Sequence, residues 1–215
     1  MTRDLRLELV RTAQQMSALG LTPGMSGNVS VRCPGGLLVT PSGMPYADLA
    51  PDDVVEIALD GTVGAGQRAP STEWRLHRDL LVARPDITAI VHTHSLFCAS
   101  VSALRRPIPA IHYMVVLAGG DEIPCADYAT FGSEELARNA VTALGGTDAC
   151  LLANHGMLAL GGTLAAALKL AAEVETLASQ YWHAAQLGTP HVLDHAELER
   201  VRAGFASYGQ RPPRT

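Results

Sequence analysis

Lysine is almost missing from this chain: among 215 residues the one example is Lys169. It falls in the middle of an alanine-rich, helix-forming stretch, a poor place for a Schiff-base nucleophile, so carbonyl chemistry through a lysine imine is set aside. Cysteine is sparse and scattered. Cys33, Cys98, Cys125 and Cys150 form no CxxC pair, which reads as reduced, buried thiols in a cytoplasmic protein and not as sulfur ligation of zinc. No uninterrupted apolar run is long enough to span a bilayer. Arg3, Asp4, Arg6, Glu8 and Arg11 argue against a secretory apolar segment within the first twenty residues. A basic stripe is also lacking, and the net charge is −5. Nucleic acid and membrane are therefore not expected partners. A phosphate-bearing ligand would have to be held by backbone amides and hydroxyls.

What is present is a chain for a well-packed globule, 47% hydrophobic and 17% charged. Its length fits one domain, residues 1–215, with a sizeable core. Leu5, Leu9, Ala13 and Met16 share a helical face that Gly20 ends. Strands are expected over 28–32, 37–40, 54–59, 87–91, 108–117 and 150–154. A helix is expected over 72–83 with Ser71 as N-cap, and another over 95–104. Ser133 caps a further helix, Thr163 opens a long one that Gly188 stops, and Asp194 with Glu197 forms a capping-box pattern for the last. The result is an α/β domain with a sheet covered by helices.

Two histidines stand at a strand exit in Val91-His92-Thr93-His94. Side chains two apart on a strand point the same way, so both imidazoles aim at one spot, half of a metal site. His155 lies at the end of a second apolar strand, and Gly156 behind it allows a sharp turn. Glu73, in a helix's first turn, is either an acid that stabilises the helix dipole or a carboxylate that touches the metal and moves protons beside it. Three neutral imidazoles and one carboxylate around a divalent ion leave a net charge of +1, suited to an anionic intermediate. His77, one turn after Glu73, reads as structural, and His183, His191 and His195 as surface. A cupin would follow its His-x-His with a glutamate, and a metallo-β-lactamase with Asp-His; this chain reads His94-Ser95-Leu96-Phe97. Three small-residue segments suit an anion: Gly24-Met25-Ser26-Gly27-Asn28, Thr40-Pro41-Ser42-Gly43 and Ser71-Thr72. Each is also ordinary turn chemistry.

Taken together, Gly27-Asn28-Val29-Ser30, Thr40-Pro41-Ser42-Gly43, Pro70-Ser71-Thr72-Glu73-Trp74, Val91-His92-Thr93-His94 and His155-Gly156 resemble the class II, zinc-dependent aldolase/epimerase family, and the resemblance runs along nearly the whole chain. It implies a central, largely antiparallel sheet flanked by helices, and a homotetramer with active sites at subunit borders. It also implies reversible cleavage of a ketose 1-phosphate, L-fuculose 1-phosphate or a close deoxy analogue, to dihydroxyacetone phosphate and an aldehyde such as L-lactaldehyde. By the same resemblance zinc is held by His92, His94 and His155, with Glu73 as a mobile ligand and acid/base. Phosphate falls to Gly27, Asn28, Ser42, Gly43, Ser71 and Thr72. Tyr113 reaches in from a neighbouring subunit as proton donor, and Phe131, Phe205 and Tyr208 shape the aldehyde side.

Met25 departs from the pattern, standing where the family's aldolase commonly has a threonine, with Ser26 as its replacement. Ala153-Asn154 before His155 and the proline-rich tail after Tyr208 also differ. Sibling activities on the same site are 5-deoxyribulose-1-phosphate cleavage and ribulose-5-phosphate 4-epimerisation. The epimerase tends to carry an acid near Tyr113, so the tyrosine favours an aldolase. A non-catalytic scaffold is the rival of another class, and the retained histidines count against it.

Overall fold

The computed structural model describes residues 2–205. The elements along the chain are α1 (Thr2–Ala18), β1 (Asn28–Cys33), β2 (Gly36–Val39), β3 (Val55–Ala58), α2 (Trp74–Ala83), β4 (Ala89–Thr93) and α3 (Leu96–Ser102). There follow β5 (Cys125–Ala126), α4 (Glu134–Leu144), β6 (Ala149–Leu152), β7 (Gly156–Gly161), α5 (Leu164–Leu187) and α6 (His195–Phe205). The strands form one seven-stranded sheet in the order β3-β2-β1-β4-β7-β6-β5, antiparallel except for the short β5–β6 pair. This is the single-domain α/β architecture the sequence implies.

Alternation on the strands explains why helices cover both faces. Val29, Val31, Leu38, Ala89, Val91, Met157 and Ala159 point to one side, into a core shared with α1, α3 and α5. Leu37, Val39, Val55, Ile57, Ile90, Leu158 and Leu160 point to the other, where Leu76, Leu80 and Leu81 of α2 and Leu136, Ala137 and Ala140 of α4 meet them. A sheet buried on both faces needs apolar residues at every position, and β4 is buried throughout. Along α5, Ala167, Ala171 and Ala178 lie on the buried side, where their small size lets the 24-residue helix approach the sheet.

Several boundaries differ from the sequence reading. Helix α2 begins at Trp74 with Glu73 at its N-cap, and Ser71 instead closes the preceding turn by accepting the Glu73 N–H at 3.3 Å. Residues 108–117 are not a strand. Ile108 makes one isolated bridge to Ile123, and Tyr113–Ala118 winds into a 3-10 helix that Gly119 ends. Strands β5 and β7 went unforeseen; β7 is continuously apolar and runs between two turns, without the alternation that marks a half-exposed strand. The caps hold elsewhere: Ser133, Thr163 and Asp194 each accept a backbone N–H three residues on.

Candidate metal centre and anion cavity

Sheet register builds the centre. Asn28 of β1 pairs across from His92 of β4, and Thr93 pairs with Met157 of β7. His92 therefore faces the α2 side in the middle of the sheet, and His94 follows two residues later, beyond the strand end. The β6–β7 turn, Ala153-Asn154-His155, brings in the third imidazole. Asn154 takes the left-handed conformation in that turn (φ 54°), a role the sequence reading gave to Gly156. Gly156 has a different reason to be glycine: a Cβ there would stand 2.1 Å from the Thr93 carbonyl oxygen. That backbone contact draws β7 against β4 and sets His155 beside His94.

The three rings form a near-equilateral triangle, with centroids 4.8, 4.9 and 4.6 Å apart. His92 Nε2 lies 2.9 Å from His94 Nε2 and 3.2 Å from Glu73 Oε2, and His155 Nε2 lies 3.4 Å from Glu73 Oε1. One donor atom from each of the four residues falls within 4.8 Å of the others. His92 Nδ1–H donates to the Met157 carbonyl at 2.9 Å, which leaves Nε2 as the free donor, the usual orientation of a metal-bound imidazole.

Electrostatics agree. Burial pushes Glu73 upward, but the charge on His92 and its hydrogen bond, then His155 and Asn28, outweigh it and hold the carboxyl well below its ordinary range. Burial lowers His92, yet Glu73 carries it above its ordinary value. Burial, then the charge on His92, pushes His94 down to about 3 and His155 down to about 4. A carboxylate amid largely neutral imidazoles is the protonation state metal ligation needs. Among the described residues, Glu73 Oε1 is also buried with no hydrogen-bond partner, a costly arrangement for a charged oxygen unless it faces a cation. The residues present thus fit a divalent ion held by three nitrogens and one carboxylate.

Above the centre opens a cavity of about 330 Å³, lined by Gly27, Asn28, Ser42, Gly43, Ser71, Thr72, Glu73, His94 and His155. All six residues expected at the phosphate thus meet in one place. Hydrogen bonds lace their loops together: Ser71 N–H to the Thr40 carbonyl at 3.0 Å, Thr40 N–H to the Val29 carbonyl at 3.1 Å, and Val29 N–H to the buried Thr40 hydroxyl at 3.2 Å. Gly27 (φ 78°) packs so closely that a Cβ would meet the His92 carbonyl oxygen at 2.6 Å. Met25 lines the same wall. Ser26 does too, its hydroxyl donating to the Pro23 carbonyl at 2.7 Å.

Phe131 lines the cavity mouth and is 66% exposed. Tyr113 is elsewhere: within one chain it lines a separate recess with Phe205, their rings 6.2 Å apart. Tyr208 lies outside the described residues. Tyr128 and Asn154 line the cavity too, and the sequence reading assigned neither a role in the site; Asn154 stood out only as part of the departure before His155. Asn154 accepts from Arg105 Nε at 2.7 Å, and the Arg105 guanidinium stands 5.6 Å from the Tyr128 ring centroid. Isolated polar residues in loops carry no signal that would have assigned them to the cavity. Among the described residues no helix is long and apolar enough to cross a membrane.

This fold and centre define a family. Residues 7–182 match the Class II Aldolase and Adducin N-terminal domain, and the chain belongs to that family. It is 53% identical over 205 residues to the 5-methylthioribulose-1-phosphate/5-deoxyribulose-1-phosphate aldolase of Rhodospirillum rubrum, covering 95% of this chain and 92% of that relative. It is 45% identical over 208 residues to the L-fuculose phosphate aldolase of Escherichia coli O6:H1, covering 96% of each. A solved structure of L-fuculose 1-phosphate aldolase superposes with a TM-score of 0.90 at 38% identity, over 94% of this chain and 96% of that one. Within the family, therefore, this chain is a class II aldolase, a carbon–carbon lyase of the metal-dependent kind.

Proposed function

We propose that the protein cleaves a ketose 1-phosphate reversibly to dihydroxyacetone phosphate and an aldehyde, with L-fuculose 1-phosphate as the first substrate and L-lactaldehyde as its product. The observation that carries this reading is the carboxylate-and-imidazole cluster at the floor of a cavity walled by three small-residue loops. His92, His94 and His155, with Glu73, would hold one zinc ion. When bound, a divalent ion supplies Lewis acidity that polarises the ketose carbonyl and disperses the negative charge left as the carbon–carbon bond breaks.

The chain's own groups do the rest. Backbone amides near Gly27 and Gly43, the hydroxyls of Ser42, Ser71 and Thr72, and the Asn28 carboxamide bind the phosphate and fix the substrate's orientation without a basic patch. Glu73 rests as a carboxylate, the form that removes a proton from dihydroxyacetone phosphate in the synthetic direction. Microscopic reversibility has it return that proton to the same carbon in cleavage. Tyr113 accepts the hydroxyl proton of the bond-breaking carbon as the aldehyde forms, and returns it in synthesis. Tyr113 lies off the cavity of its own chain, which supports a homotetramer in which each site borrows a neighbour's tyrosine. Phe131, Phe205 and Tyr208 would then enclose the aldehyde. The dispersed thiols support a cytoplasmic location.

A second reading has 5-deoxyribulose 1-phosphate or 5-methylthioribulose 1-phosphate as substrate. The named activity of the 53% identical relative supports it. Incubating zinc-loaded protein with these ketose 1-phosphates separately, and with ribulose 5-phosphate, tests both readings. A three-carbon phosphate plus an aldehyde supports the proposal, and the fastest substrate ranks the two. Isomerisation of ribulose 5-phosphate without cleavage would replace it with an epimerase.

A further inference from the structure

Beneath the cavity lies a histidine that takes no part in the chemistry above. His77, on the first turns of α2, is fully buried against the sheet. Its Nδ1 meets the Ser30 hydroxyl at 2.6 Å, and its Nε2 is hydrogen-bonded to Asn28 Oδ1. The other end of that carboxamide, Nδ2, donates to Glu73 Oε2 at 3.0 Å. Four side chains from β1, α2 and the turn before it thus form one line: Ser30, His77, Asn28, Glu73.

The line has a direction. A carboxylate accepts only, so the end of Asn28 that faces Glu73 must be its NH2. The carboxamide oxygen then faces His77 and needs a donor, which places the ring proton on Nε2. The other ring nitrogen becomes an acceptor, and the Ser30 O–H supplies its proton. Reversing any member puts two acceptors face to face: with the ring proton on Nδ1, Asn28 would have to turn and set its oxygen against the carboxylate. Buried mispairings of this kind cost more than the bonds are worth when made.

We infer that His77 is a positioning residue of this site: held in its Nε2–H tautomer by Ser30, it locks the Asn28 carboxamide, and the locked carboxamide aims Glu73. Among the described residues, Oε2 is the oxygen of Glu73 that receives a hydrogen bond from outside the imidazole cluster, whereas Oε1 has no hydrogen-bond partner. When the carboxylate moves to exchange a proton with substrate, Asn28 is the pivot that keeps it in reach. The role rests on the aldolase reading for its kinetic consequence, whereas the tautomer does not depend on it.

The test combines a spectrum with kinetics. Solid-state 15N spectra of metal-free protein labelled at its imidazoles should contain an Nε2–H ring signal that vanishes in His77→Gln; an Nδ1–H signal at that position overturns the inference. In the zinc-loaded enzyme, His77→Leu should lower kcat about 10–100-fold, the range for groups that orient metal-site ligands, with a smaller rise in KM, since Asn28 also stands at the phosphate, and with zinc content unchanged. His77→Gln, whose amide nitrogen can stand in for Nε2–H, should recover most of the loss. Solvent-deuterium exchange into dihydroxyacetone phosphate, which needs Glu73 but not Tyr113, should fall in parallel. Should His77→Leu fail to fold, Ser30→Ala removes only the donor to Nδ1 and should give a mixture of tautomers with a smaller loss of exchange. Equal losses in His77→Leu and His77→Gln, or exchange unchanged in both, would refute the positioning role. Wild-type protein that turns over none of the ketose 1-phosphates would sink the aldolase substrate reading and leave the tautomer to decide this one.

Discussion

Replacing Gly156 with alanine adds one methyl group at a point where the backbone leaves no room. The new Cβ would stand 2.1 Å from the Thr93 carbonyl oxygen, 3.1 Å from its carbon and 3.3 Å from the His94 Cα. All three atoms are backbone, so no side chain can swing aside. Restoring ordinary contact requires the start of β7 to retreat from β4 by roughly 1 Å, an overpacking cost of about 1–3 kcal/mol. For a chain of this length that lowers Tm by about 2–12 °C. The same retreat separates His155, next to the substituted residue, from His94, next to the clashing one. Metal donors tolerate only about 0.2 Å of error, so affinity should fall along with stability, by at least about tenfold. Gly162→Ala is the control: a Cβ there meets nothing within 4 Å. Thermal unfolding of the metal-free proteins isolates the packing effect, and competition with a chelator measures affinity. If Gly156→Ala matched Gly162→Ala in both, the close approach of β7 to β4 would not be what sets the histidines.

Three further outcomes are expected. His92→Ala should lose both bound metal and cleavage; an active, metal-free variant would contradict the mechanism. Tyr113→Phe should retain metal but turn over more slowly, and in mixed oligomers with inactive His92→Ala chains it should regain activity through borrowed tyrosines; unchanged turnover in the single variant removes Tyr113 from its role. Metal-free protein should lose stability as pH falls from about 6.5 towards 4. His77 and His94, each held down to about 3, and His155, held down to about 4, stay neutral in the fold while their unfolded counterparts take up protons. The unfolded state then binds roughly two to three more protons near pH 5, a slope of about 3–4 kcal/mol per pH unit. His92, whose pKa is raised, opposes this only above about pH 6.5. Denaturant titrations across that range check the slope, and a flat profile would mean that the imidazoles are not held neutral.

The centre was legible because its signals are local. His92 and His94 share a strand face by period alone, His155 follows a second apolar run, and the small-residue loops carry anion-binding composition. What escaped was set by tertiary contact. The continuous apolar run of β7 has no period to separate strand from helix. The stretch from Ile108 to Leu117 looks like a strand, but among the described residues it builds no ladder beyond the single Ile108–Ile123 bridge and one bond from Leu193 N–H to the Ala110 carbonyl, and it coils instead. Ser71 has the composition of an N-cap, yet its hydroxyl is spent one turn early, which leaves Glu73 at the helix start and free to face the histidines. His77 reads as an ordinary core histidine; only the pairing of Asn28 with His92 puts it beneath the cavity.

X-ray absorption at the zinc edge of the purified, zinc-loaded protein bears most directly on the central claim. One ion per chain, surrounded by three imidazole nitrogens and low-atomic-number oxygen, with no sulfur, is the predicted result. Sulfur scatterers, fewer than three imidazoles, or no stoichiometric metal uptake would contradict it.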